Sequence, residues 1–318
     1  MRILFLRFGS IGNAVVSIPA VRAVRKEKPD AFLALLCNPA TFDLWKGCPW
    51  LDKVMVYDQK NLNKPGPGYL KMIVDLRRLR FTHSIHFRRF IRSELIGFLA
   101  GAGTRIGFDP GVLSLLSKKI LYLENEHLID QNLRLVRELG VKAEDRSLEY
   151  WPPELSVRQK NMLAQIKPPV VAIHPFAHTQ RENRWKKFPE LAEKLQKELG
   201  ASIILVGTSN EEEIFKKEWP APAAVRTAFE LSLSQLAALL KAVNLFIGSD
   251  SGPLHLATAV GTPSISIYTP RHDLASHLKK WMPLSPRFKA VLPPENSNAE
   301  ISVDEVLAST RDLLSQSH

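Results

Sequence analysis

The chain has 318 residues, of which 45% are apolar and 24% are charged. This is the composition of a globular protein, so a disordered or fibrous chain is excluded. The formal charge of +11 leaves nucleic acid, an anionic membrane surface and an anionic substrate as possible partners. Cys37 and Cys48 are the only cysteines, which excludes a disulfide framework and a multi-cysteine zinc site and predicts a reducing compartment.

Short apolar runs alternate with helical patterns along the first half of the chain. They predict, in order, a strand at 3–8, a helix from 13 to about 28, strands at 31–37 and 54–57, a helix at 70–79, a strand at 84–87 and a helix at 90–100. No apolar run approaches the roughly 18 residues of a spanning helix. Arg7 interrupts the first run, which favours a buried strand over a signal peptide. Apolar strands alternating with helices predict a parallel sheet covered on both faces.

Two proline pairs, Pro152-Pro153 and Pro168-Pro169, mark a boundary, since proline cannot continue a helix or a central strand. A helix at about 157–165 lies between them. The second half repeats the alternation, with a strand at 170–174, a helix at 188–199, a strand at 202–206, helices at 210–218 and 234–242, strands at 245–247 and 264–268, and a final helix at 303–314. The predicted fold class is α/β, with two doubly wound domains facing a cleft.

The first strand runs into the turn Gly9-Ser10-Ile11-Gly12-Asn13. Glycines let the backbone turn sharply and approach a ligand, and the N-terminus of the following helix offers free N–H groups to an anion. The dinucleotide pattern G-x-G-x-x-G is absent. The alternative interpretation is an ordinary strand–helix turn with Asn13 as the N-cap.

A second turn carries the run Ser249-Asp250-Ser251-Gly252-Pro253-Leu254-His255. Asp250 would lie at the carboxyl end of a strand, where open α/β sheets bind ligands, and a helix would begin near Pro253. The N–H groups of Ser251 and Gly252 would point at an anion, with His255 one turn further on. The alternative is a capped helix with a core histidine.

Two further segments of the second half could bind parts of a nucleotide. Glu211 begins a predicted helix, where a carboxylate either complements the helix dipole or binds a ribose diol. The stretch from His174 to Trp185 carries Thr179, Arg181 and Arg184, which suit phosphate. The alternative for this stretch is a solvated basic loop.

A basic cluster lies in the first half, at Arg77, Arg78, Arg80, Arg88, Arg89 and Arg92. Arg88 and Arg89 directly follow a predicted strand, and Arg92 lies one helical turn on. Arginine forks suit carboxylates and phosphates. The cluster is therefore either an anion site at the ligand edge of the sheet or a solvated charged face.

Together these motifs resemble the heptosyltransferase family (glycosyltransferase family 9), which transfers heptose from ADP-heptose to the inner core of bacterial lipopolysaccharide. The resemblance is carried by the 9–13 turn with Ile18-Pro19-Ala20, and by the 249–257 run with Gly261-Thr262-Pro263. It implies a GT-B fold of two Rossmann-like domains. The first, at 1–155, would bind the acceptor, and the second, at 156–318, the sugar nucleotide, with the final helix able to pack back on the first domain.

The resemblance also assigns residues by position. The family's donor-site residues fall on Thr179, Glu211, Leu231, Asp250, Ser251, Gly252 and His255. Glu211 would hold the ribose, Leu231 would lie near the adenine, and the 250–252 turn with His255 would face the diphosphate and the sugar. Arg181 or Arg184 would replace a phosphate-binding lysine that the family has where this chain has Asn183. Gly12, Arg88, Arg89 and Arg92 are expected to bind the acceptor.

Asn13 stands where the family usually has the aspartate expected to act as general base. An amide has no basic carboxylate and cannot take a proton from the acceptor hydroxyl. Three explanations are open. Another residue, His86 or His178, is the base; the substitution was introduced to inactivate the enzyme; or the chain is a relative that binds a sugar nucleotide and transfers it poorly or not at all.

The expected function is inverting sugar transfer from a nucleotide sugar, ADP-heptose above all, to an anionic lipid-linked saccharide, without a metal or cofactor. The alternative is a noncatalytic sugar-nucleotide-binding protein. The resemblance implies a cytoplasmic monomer at the cytoplasmic face of the inner membrane. The charge of +11 predicts that this peripheral contact weakens with salt. Nucleic-acid binding rests on charge alone, and no recognised motif supports it.

Overall fold

The computed structural model describes residues 1–58, 66–111, 113–176, 184–219, 225–294 and 300–316. The chain forms two compact units. Unit 1 comprises Met1–Ser147 and Ala275–Met282, and unit 2 comprises Leu148–Leu274 and Pro283–His318. The division therefore falls between Ser147 and Leu148, where the sequence analysis places it after residue 155.

Unit 1 is built on one six-stranded sheet with helices between the strands. Its elements are β1 (Arg2–Arg7), α1 (Ile11–Val15), α2 (Ile18–Glu27), β2 (Phe32–Cys37), α3 (Pro39–Trp45), β3 (Lys53–Val56), α4 (Pro67–Arg78), β4 (His83–His86), α5 (Ile91–Leu99), β5 (Thr104–Phe108), β6 (Lys118–Ile120) and α6 (Leu128–Arg137). The strands lie in the order β3-β2-β1-β4-β5-β6 and all pair in parallel.

Unit 2 repeats this plan. Its elements are α7 (Val157–Ala164), β7 (Val170–His174), α8 (Phe188–Leu199), β8 (Ser202–Gly207), α9 (Ser209–Glu218), β9 (Val225–Phe229), α10 (Leu233–Ala242), β10 (Leu245–Ser249), α11 (Gly252–Ala259), β11 (Ser264–Ile267), β12 (Phe288–Val291) and α13 (Val303–Ser315). Between β11 and β12 the chain forms α12 (Leu274–Trp281), which belongs to unit 1 from Ala275 onward. The parallel order is β12-β11-β10-β7-β8-β9. Numbered within each unit, both sheets have the Rossmann order 3-2-1-4-5-6.

The core of each unit lies where helices cover its sheet. In unit 1, Leu4 and Leu6 of β1 share one apolar cluster with Leu76 of α4 and Ile96 of α5, so these two helices cover the same face. Each of these side chains is at most 1% exposed. Burial of such strands on both faces explains their nearly continuous apolar sequences.

The C-terminal helix packs inside unit 2. Val306 and Leu313 of α13 belong to the same core cluster as Phe188 of α8 and Ile265 of β11, and α13 contacts α8 and the strands β10, β11 and β12. The expected packing of this helix on the first domain is therefore corrected. The late segment that belongs to unit 1 is Ala275–Met282, which contains most of α12.

The predicted helix from 13 to about 28 is two helices. Pro19 has no N–H to donate to the carbonyl of Val15, so the first helix stops and α2 starts again with Pro19 in its first turn. Ser17 bridges the break, because its hydroxyl donates to the Ala14 carbonyl at 2.7 Å. Within the described residues, none of the helices combines the length and apolarity that crossing a bilayer requires.

Gly97 lets α5 lie close against β4. A Cβ at this position would come within 2.7 Å of Ser84 Oγ and 2.8 Å of His86 Nε2, both buried side chains. We expect Gly97→Ala to lower the free energy of unfolding by about 1–3 kcal/mol through overpacking, measured by urea denaturation. The control is Gly68→Ala in α4, where the added Cβ meets nothing within 4 Å. Equal effects of the two substitutions would contradict this account of the α5–β4 contact.

Candidate functional site

Each sheet has one point where the strand order reverses, between β1 and β4 in unit 1 and between β7 and β10 in unit 2. The connections on either side of such a point leave in opposite directions and open a crevice at the carboxyl ends of the strands. The residues that directly follow these four strands therefore form the two candidate sites, one in each unit.

The crevice of unit 1 is a cavity of about 580 Å³. It is lined by Arg7, Phe8, Gly9, Ser10 and Asn13 after β1, by Phe87, Arg88 and Arg89 after β4, by Phe108, Tyr122, Glu124, Leu128, Gln131 and Asn132 further along, and by Lys280 and Trp281 of α12. Three predicted site residues, Asn13, Arg88 and Arg89, are thus brought into one cavity.

Arg7, the last residue of β1, is only 3% exposed. Its guanidinium donates to the Asn13 carbonyl at 2.8 Å, to Asn13 Oδ1 at 2.8 Å and to the Phe87 carbonyl at 3.1 Å. These acceptors are neutral, and no carboxylate in the described part of the chain pairs with Arg7. Burial, together with the charge of Arg88, lowers the pKa of Arg7 to about 9, so it remains a cation at pH 7.

Asn13 lies inside α1, and the N-cap of that helix is Ser10. The alternative in which Asn13 caps the helix is therefore corrected. The amide nitrogen of Asn13 donates to Ser10 Oγ at 2.9 Å, and its amide oxygen accepts from Arg7. Both ends of the amide are thus held, with its oxygen directed at a buried cation.

The lining of this cavity is strongly cationic. Arg7, Arg88, Arg89 and Lys280 face one carboxylate among the described lining residues, Glu124. Lys280 Nζ lies 3.2 Å from Glu124 Oε2, so that carboxylate is already paired. The cavity consequently suits a ligand that carries more than one negative charge.

His86 lies beneath the cavity. It is 1% exposed, does not line the cavity, and its two ring nitrogens lie 2.8 Å from Ser84 Oγ and 3.5 Å from Ser93 Oγ. Burial, with the charge of Arg105, lowers its pKa to about 3. The structure corrects the expectation that His86 is a base, because an acceptor hydroxyl cannot reach this ring and the ring is very weakly basic.

Two residues expected to bind the acceptor also lie outside the cavity lining. Gly12 is buried in α1, where its carbonyl accepts from the Val16 N–H. Arg92 is exposed on α5, with its guanidinium 5.8 Å from the centre of the Phe90 ring. Acceptor binding by Gly12 and Arg92 therefore stays a prediction.

In unit 2, His174 at the end of β7 connects the polar groups of the crevice. Its Nδ1 lies 3.2 Å from Ser251 Oγ, which follows β10, and its Nε2 lies 3.8 Å from Glu211 Oε2, which follows β8. The ring is 5% exposed. One buried side chain therefore brings together two of the predicted donor-binding residues.

Glu211 is part of a capping box at the start of α9. Its Oε2 accepts from the Thr208 N–H at 2.7 Å and from Thr208 Oγ1 at 2.9 Å. Burial alone would raise the pKa of this carboxyl, but the His174 ring and the two Thr208 donors lower it to about 2. Oε1 is reached by no donor of the described residues, so an ionised oxygen is left for a ligand hydroxyl.

The other predicted donor-binding residues surround this point. Ser251 is the N-cap of α11, with Gly252 as the first helical residue, and its hydroxyl is used by His174 and the Ser249 carbonyl. The first N–H groups of α11 thus have no side-chain cap. Asp250 is half-buried beside them, and His255 is 3% exposed in the first turn. Leu231 is half-buried after β9, at the same edge of the sheet.

Arg184 lies elsewhere in unit 2, with its guanidinium 5.6 Å from the centre of the Phe176 ring. It lines a cavity of about 330 Å³ with Trp185, Phe188 and Trp219, to which Glu211 and the 250–252 turn do not contribute. The predictions for Thr179 and Arg181, and for His178 and Asn183, fall outside the described residues. Among the residues that are described, no cluster of three or more potential metal-binding side chains occurs.

Several site residues are not predicted from the sequence. Arg7 carries a readable signal, a cation inside an apolar strand, but the sequence predicts no site role for it. His174 likewise ends a predicted strand directly. Glu124 and Lys280 carry no signal, because they reach the cavity from a loop and from a helix 156 positions apart.

Glu211 provides a test of this geometry. Its pKa in the folded protein, about 2, is below the ordinary 4.5, so its stabilising contribution is complete above pH 4.5 and is lost as the pH falls toward 2. We expect Glu211→Gln to lower the free energy of unfolding at pH 7 by about 1–3 kcal/mol, with the difference from wild type disappearing in that acid range. Urea denaturation at a series of pH values measures the loss of stability at pH 7 and its disappearance in acid.

Glu212→Gln is the matched control, because Glu212 begins the same helix but pairs only with Lys216, at 2.9 Å. A partly exposed pair of this kind, one helical turn apart, contributes about 0.5 kcal/mol or less. The same pH profile for both variants would show that Glu211 is not held as described.

Two Rossmann-like units, each with polar groups at its strand-order reversal, are the architecture of the GT-B fold. Comparison with known proteins gives the family. The family model for glycosyltransferase family 9 (heptosyltransferase) matches residues 69–308, and the chain belongs to this family. The resemblance of the sequence motifs to heptosyltransferases and the predicted fold are thereby confirmed, and the chain is a glycosyltransferase.

Individual relatives are distant but cover most of the chain. Lipopolysaccharide heptosyltransferase 1 of Campylobacter coli is 24% identical over 84% of this chain and 84% of that protein. Lipopolysaccharide heptosyltransferase 2 of Escherichia coli K12 is 23% identical over 85% and 83%. The structure of E. coli ADP-heptose lps heptosyltransferase II superposes with a TM-score of 0.82 at 19% identity, covering 99% of both chains. These likenesses support glycosyl transfer in lipopolysaccharide core synthesis.

Proposed function

We propose that the chain transfers heptose from ADP-heptose, with inversion at the anomeric carbon, to an anionic lipid-linked core saccharide of lipopolysaccharide. The observation that carries this proposal is the arrangement of His174, Ser251 and Glu211 at the strand-order reversal of unit 2. It joins a carboxylate suited to a ribose to a helix N-terminus suited to a diphosphate.

The donor would bind as follows. Glu211 Oε1 accepts from the ribose hydroxyls, and Leu231 packs near the adenine. The N–H groups at the start of α11 receive the diphosphate, with Asp250 and His255 toward the sugar. E. coli heptosyltransferase WaaC, whose structure with ADP-2-deoxy-2-fluoro heptose superposes with a TM-score of 0.75 and covers 98% of this chain, supports ADP-heptose as the donor.

In the transfer step, an acceptor hydroxyl oxygen forms a bond to the anomeric carbon. The bond from that carbon to the diphosphate oxygen breaks, and ADP leaves with the electron pair. The helix N-terminus of α11 is already oriented toward the charge that develops on the leaving group, so it stabilises the transition state without rearrangement. We propose that this step needs neither a metal nor a cofactor.

The proton of the acceptor hydroxyl must go to a base. Asn13 cannot take it and the ring of His86 is inaccessible, whereas Glu124 lines the same cavity and its side chain is 70% exposed. We therefore assign Glu124 as the base of the chain as it stands. Glu124 Oε2 already lies 3.2 Å from Lys280 Nζ, so it must exchange this partner for the acceptor hydroxyl, which predicts slow transfer.

A second function is favoured by Asn13 itself. Its amide is held between Arg7 and Ser10 where the family usually has a carboxylate. A relative that binds the sugar nucleotide with little or no transfer would show this feature. The two functions differ in acceptor-dependent release of ADP.

The acceptor would bind in the cationic cavity of unit 1, through Arg88, Arg89 and Lys280. An acidic or phosphorylated saccharide matches these charges. Because such an acceptor is anchored in lipid, we propose that the protein works as a monomer on the cytoplasmic face of the inner membrane, without nucleic acid as a partner.

Asn13→Asp tests the role of this position. Arg7 lies 2.8 Å from the side-chain oxygen, so it would hold the new carboxylate ionised and oriented. We expect ADP release from ADP-heptose, with a deacylated lipopolysaccharide core as acceptor, to rise roughly 100-fold, within the usual contribution of a general base. ADP affinity, measured by calorimetry, should stay unchanged.

Two further variants complete this experiment. Ser10→Asp adds the same charge to the same cavity one turn earlier, and it should give no comparable gain. Glu124→Gln should abolish the residual turnover of the wild type and have little effect in the Asn13→Asp background. ADP binding without turnover in every variant would favour the second function, and turnover unaffected by Glu124→Gln would remove Glu124 as the base.

The double substitution Arg88→Ser with Arg89→Ser tests acceptor binding. Loss of two charged donors should raise KM for the deacylated core about tenfold or more and leave the Kd for ADP unchanged. Arg158→Ser with Arg226→Ser, two exposed arginines of unit 2, is the control for lost charge. An equal rise in both double variants would mean that charge acts at long range and not in the cavity.

A further inference from the structure

The outward side of α5 is apolar. Ile91, Leu95 and Phe98 are 44%, 39% and 50% exposed. Their spacing of four and three residues places them along one side of the helix. The opposite side is buried at Ser93, Glu94, Ile96 and Gly97. A stripe of large apolar side chains therefore faces away from the core.

The neighbouring helix repeats this feature. Leu70 and Val74 of α4, one turn apart, are 64% and 48% exposed. Because α4 and α5 cover the same face of the sheet and contact each other, their outward sides lie on the same side of unit 1. Among the described residues of unit 2, by contrast, the exposed large apolar side chains are Val157 and Leu292.

Cations flank these apolar side chains. Arg77 and Arg78 at the end of α4 and Arg92 in the first turn of α5 are exposed. The acidic side chains of α4 and α5 already have partners within the protein. Asp75 pairs with Lys71 at 2.7 Å and with Arg78 at 3.5 Å, and buried Glu94 accepts from Ser114 Oγ and the Leu115 N–H. The surface thus combines exposed apolar side chains with positive charge.

We propose that this surface, the α4–α5 face (Leu70, Val74, Ile91, Leu95 and Phe98 with Arg77, Arg78 and Arg92), docks on an anionic lipid bilayer. The apolar side chains enter the interface and the arginines contact the phosphates of the headgroups. A second copy of the chain fits this surface less well, because a symmetric contact would bring the same arginines together.

The α4–α5 face lies next to the cationic cavity, which suggests a role in acceptor delivery. This role rests on the proposed function. Arg88 and Arg89 line the cationic cavity, and α5 begins two residues later at Ile91. A saccharide whose lipid lies in the bilayer beneath α5 would therefore have its head group beside the cavity. The docking face would thus deliver the acceptor as well as hold the protein on the membrane.

Binding to vesicles tests the docking face. Co-sedimentation with phosphatidylcholine vesicles, with and without phosphatidylglycerol, is measured at low and high salt. We expect binding that requires phosphatidylglycerol and weakens with salt. Replacing Ile91, Leu95 and Phe98 together by serine should weaken it at least tenfold, which is about 1.4 kcal/mol. Leu70→Ser with Val74→Ser is the second variant, should the first fail to fold.

The matched control replaces Phe42, Val157 and Leu292 by serine, since these exposed apolar side chains lie outside the α4–α5 face. It should bind vesicles as the wild type does. The proposal is overturned if the wild type ignores anionic vesicles, if variant and control bind equally, or if the variants change only self-association, which would make the face a contact between copies.

Turnover of the water-soluble deacylated core separates this proposal from the proposed function. Vesicle binding by a protein that does not turn over this acceptor would leave the docking face standing and remove the transfer activity. Turnover of the deacylated core by a protein that does not bind vesicles would leave the transfer activity standing and remove the docking face.

Discussion

The strand order of each sheet reverses once, and a basic residue ends the first strand at each reversal. In unit 1 it is Arg7, which holds the carbonyl of Phe87 after β4 and both oxygens of Asn13. In unit 2 it is His174, placed between Ser251 after β10 and Glu211 after β8. The same position of the fold thus organises both sites, because a side chain there contacts the segments that leave in opposite directions.

The two sites differ in charge. The unit 2 crevice offers an ionised carboxylate and open N–H groups, which suit a neutral diol joined to a diphosphate. The unit 1 cavity holds a buried arginine with only neutral partners, and further cations around it. Burying a cation without a counterion costs free energy that a bound anion would recover. Asn13 therefore makes this cavity a stronger anion site and a poorer site for proton transfer than an aspartate would.

Much of the fold can be read from the sequence because buried parallel strands are long apolar runs. β1, β2 and β7 are of this kind and lie at or near the sheet centre. Edge strands are less readable. In β6 two of the three residues are exposed, and β12 has no fully buried residue before Val291. Helix α6 is not predicted for another reason. It buries the polar side chains of Gln131 and Asn132, which donate to backbone carbonyls, so its buried side does not show as an apolar pattern.

The site could be predicted where its residues directly follow strands, as at Asn13, Arg88, Glu211 and Ser251. It could not be predicted where a side chain arrives from a distant element, as Lys280 does, or where burial removes a residue from the crevice, as with His86. The most direct test is hydrogen exchange with and without ADP. The account predicts slower exchange at the amides of residues 208–212 and 251–255 in unit 2, with no change at residues 8–13. Protection of residues 8–13 instead, or no protection in unit 2, would contradict it.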